Sequence, residues 1–258
     1  MHNVVAVAGR ELRSYFHSYI GYQLMRGYAV VCGFFFFSFT ATYVIQEFRM
    51  AAMGGMGAPP MNLNEHIIQP LLEGVLTVAL LLFIPPITMR LFPEEKKSGT
   101  IELLLTSPLT GLQIILGKFL GAVGFYSVLV VLTFLYIGVL FLYGNPHAKP
   151  LLAEALGLFL YGGALLALGM WISTLTKDQI IAASVTAEVF LLLYVLDWVT
   201  AYSSSTAGRV LSYMALTTHF HNFARGVIDL SDLTYYLSVI ALGIFLTARS
   251  IEALKGRP

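Results

Sequence analysis

FLGAVGFYSVLVVLTFLYIGVLFLY, running from Phe119 to Tyr143, lies inside twenty-eight residues between Lys118 and His147 that carry no formal charge. About 20 apolar residues carry a helix across a bilayer core, so this stretch crosses with length left over for tilt. Working outward in both directions, comparable runs recur at residues 27–45, 71–89, 151–175, 180–202 and 233–248. The first holds the block Phe34 to Phe37. The second has Glu73 at its entrance and Pro85-Pro86 near its exit, where a kink or local break is expected. The fifth carries Glu188 and Asp197, so it cannot face lipid all round. The pattern predicts an all-α integral membrane protein with six transmembrane helices.

Composition agrees. Of 258 residues 57% are hydrophobic and only 11% charged, and the mean hydropathy is +0.78, far from an ordinary soluble domain. Six spans leave no room for a sizeable soluble catalytic domain. A formal charge of +1 excludes a basic nucleic-acid-binding surface of the usual kind. Cys32 is the only cysteine, which excludes an intrachain disulfide, a thiolate metal cluster and a redox pair. No H-E-x-x-H or G-x-S-x-G sequence offers a catalytic site. His219 and His221 are two apart, which on a helix puts them on different faces. Met50, Met53, Met56 and Met61 suit Cu(I) as sulfur ligands, but with no His or Cys among them they read as flexible filler in a loop rich in Met, Gly and Pro. No metal and no cofactor is expected of this chain.

Six spans place both ends on one side. Eleven of the fifteen Lys and Arg residues fall on that side, which predicts both termini in the cytoplasm. Ahead of the first span, Val5, Ala8, Leu12, Tyr15, Phe16 and Tyr19 recur at helical spacing, with Arg10, Arg13 and His17 opposite. This predicts an interfacial helix over residues 1–22, its arginines among anionic headgroups; a water-exposed helix of a small cytoplasmic domain is the alternative. The long apolar run begins only after Arg26, so a retained span is expected rather than a cleaved signal. Between the fifth and sixth spans, Arg209 to Val227 alternate apolar and polar residues, as in a short helix at the outer interface. Gly117, Gly121 and Gly124 form a stripe suited to close helix packing, with no partner indicated.

The longest charged stretch, residues 90–118, joins the second span to the third. Pro93 is expected to end the membrane helix and Gly99 to allow a turn. Thr100 can cap a short helix from Ile101 to Thr106, with Glu102 in its first turn, where the helix terminus favours an acid, and Pro108 stops it. Leu103, Leu104 and Leu105 then form an apolar surface with nothing in the chain to cover it. Such a surface either takes a partner or dips back into the bilayer.

Residues Glu94 to Pro108, EEKKSGTIELLLTSP, followed by Gly117-Lys118, closely resemble the cytoplasmic loop of ABC-2-type transporter permeases. Arg10 to Phe16, Ser18 to Ile20, and the stretch from His219-Phe220 to Tyr235-Tyr236 resemble the gliding-motility-associated subgroup of that family. The resemblance implies that Glu95 to Ser107 is a coupling helix segment docking on a separate ATPase subunit, with Glu95, Gly99, Thr100, Glu102, Leu103, Leu104 and Ser107 as the coupling residues. It also implies a pair of six-span halves, a copy of this chain or a related permease, with the first and fifth spans near the shared axis. Glu188, Asp197 and Trp198 then lie close to a translocation path. Glu188 equally suits a hydrogen bond to a neighbouring helix, and Asp197 suits solvation in an open outer cleft. ATP hydrolysis is left to the partner, because the chain lacks a Walker A sequence: five residues, not four, separate Gly111 from Gly117-Lys118, and Phe119 stands where Ser or Thr is needed. The implied setting is a bacterial or archaeal plasma membrane and the implied activity is export. The alternative reading is an ABC-like membrane component that passes ATP-driven motion to a periplasmic or surface apparatus without net transport.

Overall fold

The computed structural model describes residues 2–52, 62–100, 109–144, 146–201 and 212–255. Every regular element among them is helical, and six helices are long and apolar enough to cross a membrane. In chain order the elements are α1 (His2–His17), α2 (Tyr19–Ala52), two π-helical stretches (Asn64–Ile68 and Pro70–Leu76) leading into α3 (Thr77–Thr88), α4 (Pro93–Lys97), α5 (Gly111–Tyr143), α6 (Ala148–Ser173), α7 (Gln179–Ala201), α8 (Leu216–Ala224) and α9 (Leu230–Lys255). Spans one to six are α2, the π-helical stretches with α3, α5, α6, α7 and α9. The chain is an all-α, multi-pass membrane protein.

Lipid offers no hydrogen bonds, so hydroxyls within the spans turn back on their own helix. Ser38, Thr40 and Thr42 donate to the carbonyls of Phe34, Phe36 and Ser38 at 2.8–2.9 Å. Tyrosines do the same between helices. Tyr126 donates to the Leu158 carbonyl at 2.6 Å and Tyr161 to that of Thr77 at 3.3 Å. Thr133 gives its hydrogen to Leu129, so Tyr28 is the donor in their 2.8 Å contact. Spans two and four are the most enclosed, and spans one, five and six leave broad apolar faces outward.

Three local features differ from the sequence reading. Span two passes through Pro85-Pro86 without a break and ends at Thr88, whose hydroxyl donates to the Pro85 carbonyl at 3.2 Å. Pro93 does not end the membrane helix; it opens α4 at the first position, where the missing N–H has no helical partner to lose. The N-terminal helix stops at His17 instead of reaching residue 22, because the chain turns a corner at Ser18. A Cβ on Gly21 would lie 2.1 Å from the Tyr15 carbonyl oxygen, so the corner needs glycine. The buried face of α1 has Val7 and Tyr15 at its centre and takes in Glu11 and Leu12, while Val5 and Tyr19 stay exposed. At the far end, α8 is more than a surface helix, since it buries Leu216, His219, Phe220 and Phe223. Asp229 precedes α9 and accepts the Ser231 N–H at 2.9 Å, which holds its carboxyl below the usual carboxylate range.

Candidate functional site

The loop between spans two and three begins at the bundle end that holds α1. Its first part, α4, is seated from two sides. Lys118, near the start of α5, is 1% exposed. Its ammonium donates to Glu11 Oε1 at 3.0 Å and to the Leu91 carbonyl at 2.6 Å, and it forms an ion pair with Glu95 Oε1 at 2.9 Å. The Phe92 ring covers it, with its centroid 5.3 Å from Nζ. Arg10 supplies the second positive charge, 3.1 Å from Glu11 and 3.5 Å from Glu95, so two cations meet two carboxylates and the cluster is neutral. Removing one partner from such a buried pair strands the other's charge, at a cost of about 3–5 kcal/mol. Glu95 Oε2 is also buried and takes no hydrogen bond.

Beside Glu95 on α4, Lys96 donates to the Thr174 carbonyl at the end of span four. Thr174 in turn donates to the Ser250 hydroxyl of span six at 2.7 Å. Arg90 donates to Ser18 at the α1–α2 corner at 2.6 Å and pairs with Glu94 at 3.2 Å. Beyond α4, Gly99 adopts a φ of 70°, the left-handed conformation that suits glycine at a turn, and Thr100 meets the Ser98 hydroxyl at 2.8 Å. Lys97 to Thr100 are exposed. The helix expected from Ile101 to Thr106 falls outside the described residues, and with it Glu102, Leu103, Leu104 and Ser107. After it, Thr110 and Gln113 form a reciprocal capping box that starts α5.

The residues expected on a path lie away from this cluster, on span five. Glu188 is exposed on the same face of α7 as Ile181, Val185, Leu192 and Val195, and no hydrogen bond or ion pair holds it among the described residues. Asp197 accepts hydrogen bonds from Thr217 and Thr218, each at 2.9 Å. It lines a cleft of about 380 Å³ with Glu73, Thr77, Tyr194 and His221, where His221 contacts Glu73 directly. Trp198 lies in α7, its side chain outside the described residues. The structure therefore brings Glu95, Gly99 and Thr100 together at the α1 end and sets Glu188 and Asp197 apart from them.

Sequence reasoning quoted Lys118, Arg10 and Glu11 without joining them, and gave neither Glu73 nor His221 a role at a site. One signal for Lys118 was present: it is the lone charge at the mouth of a long uncharged run.

This geometry sits in a chain of which residues 27–248 match the family described as ABC-2 family transporter protein. The chain belongs to that family. It is therefore the membrane component of an ABC transporter. No curated protein sequence matches it.

Proposed function

We propose that the chain is the permease half of an ATP-driven exporter, coupled to a separate ATPase subunit and paired with a second six-span half, either a copy of itself or a related permease. The observation that carries this reading is the stretch from Pro93 to Thr100. Its inner face is bonded to the spans through Glu95 and Lys96, and its outer face is open from Lys97 to Thr100. Such a segment can receive a push and pass it on. ATP would close two nucleotide-binding subunits on each other, and the loop would carry that motion into the spans as a rigid-body shift. Residues Glu95 to Ser107 form the docking segment, with Gly99, Thr100, Glu102 and Leu103 at its centre. Both termini and this loop face the cytoplasm of a bacterial or archaeal cell, in line with the charge bias of the loops.

Glu188 supports the pairing. An acid with no partner among the described residues, set in an apolar stripe, is costly against lipid, so that face of span five is turned to the second half or to water. Asp197 and its cleft belong to the same path. The likeness of both chain ends to gliding-motility-associated permeases supports a bacterial setting.

Replacing Glu102 or Leu103 by Arg tests the placement. Both variants are expected to insert in the membrane normally and to lose coupled ATP turnover about tenfold or more, the usual span of coupling between sites. Full ATP-dependent activity in both would place the docking segment elsewhere.

A further inference from the structure

Coupling by a loop requires that the loop not slide over the spans it drives. A backbone connection alone is poor at this, since α4 joins span two through the turn Met89–Phe92 and the segment before span three is long. Resting on the coupling role given above, we propose that Lys118 is the transmission node: through Glu95 and Glu11 it makes α4, the foot of span three and α1 move as one body.

Three observations carry this. First, the partners of Lys118 come from three different elements: it donates hydrogen bonds to Glu11 of α1 and to the Leu91 carbonyl in the turn after span two, and it forms an ion pair with Glu95 of α4. A surface ion pair transmits little because water competes for it; this one is 2% exposed at the lysine side chain and 17% at Glu95. Second, α1 lies tight on span three. A Cβ on Gly117 would stand 2.6 Å from Val7 Cβ, one on Gly121 2.6 Å from Glu11 Cβ, and one on Gly124 3.3 Å from a Leu12 methyl. The glycine stripe is thus occupied by α1 of the same chain, and it brings the Glu11 carboxylate within reach of Lys118. Third, the Tyr15 hydroxyl donates to the Ile87 carbonyl at 2.8 Å, which locks the other end of α1 to span two. Glu95 faces inward in this arrangement. It positions the docking segment, and contact with the ATPase is left to the exposed residues after it.

The test uses the complex of this chain with its co-purifying ATPase, in lipid nanodiscs. Spin labels on cysteines replacing Arg13 of α1 and Lys97 of α4, both exposed, report the spacing of the two elements before and after trapping with ATP and vanadate; the native Cys32 is buried and stays unlabelled. With Lys118 intact, one spacing holds in both states. In Lys118→Met, and in the milder Glu95→Gln if the former does not fold, the spacing is unchanged without nucleotide but widens on trapping. ATP turnover falls about tenfold, within the range of coupling between sites, while Lys118→Arg, which keeps a cation against Glu11 and Glu95, holds both at the unaltered values. Unchanged spacing and full turnover in Lys118→Met or Glu95→Gln would overturn the node. So would a spacing already lost without nucleotide in Glu95→Gln, which marks a purely structural pair. Absence of any ATPase from the unaltered preparation overturns the coupling role itself.

Discussion

Gly121 sets how closely α1 can approach span three. A side chain there would drive into Glu11 Cβ at 2.6 Å and the Ala8 carbonyl at 3.1 Å, neither of which can swing aside as the tip of a flexible chain would. Gly121→Leu is therefore expected to lower stability by about 1–3 kcal/mol, the usual cost of overpacking, and to expose α1 to protease. Thermal unfolding in detergent checks this. Gly138 on the same helix has nothing within 4 Å of its Cβ position, so Gly138→Ala is expected to be neutral or to stabilise by about 0.5–1 kcal/mol through helix propensity. The glycine spacing was legible in the sequence because close packing has a characteristic repeat. Its partner was not, because Val7 and Glu11 carry no mark of the contact and Glu11 looks like an ordinary surface acid. Lys118 was legible as an isolated charge. Its acceptors come from elements far apart in sequence, and only the fold brings them together.

At the scale of elements, apolar runs located the six spans because lipid imposes the same demand on each of them, whatever its neighbours. Boundaries followed less well. Span one begins straight after the corner at Ser18, and span two opens with π-helical turns from Asn64, where polar residues hid the start. The hairpin of α8 and α9 rests on one buried acid. Asp232 accepts from His219 Nδ1 at 2.7 Å and from Asn222 at 2.8 Å, while Tyr235 stacks on the imidazole with ring centroids 3.8 Å apart. His219 and His221 do point different ways, as their spacing required, one to Asp232 and the other to Glu73. Asp232→Ala leaves the buried His219 donor and the half-buried Asn222 donor unmatched and is expected to destabilise the protein by about 1–3 kcal/mol. Unfolding temperature, with cysteine labelling at the buried Phe220 position, reports whether α8 has come away. Because this hairpin lies at the opposite end from α4, assembly with an ATPase should survive the change.

Across the whole molecule, the bonded polar clusters collect at two ends, while Glu188 lies midway along span five on its outward face. One end gathers Arg10, Glu11, Arg90, Glu95 and Lys118 around the start of the loop between spans two and three; the other gathers Glu73, Asp197 and His221 around a cleft. Spans two and four fill the centre, and spans one and five present the least covered faces. This division suits a chain driven from one side and opening on the other, with its energy source supplied by another polypeptide. The direct check is to tag the C-terminus, extract the protein gently from its native membrane and identify by mass spectrometry what accompanies it. The account predicts a stoichiometric companion bearing a Walker A sequence, and with it ATP turnover that this chain cannot perform alone. A preparation with no ATPase, even after cross-linking in the membrane, would contradict it.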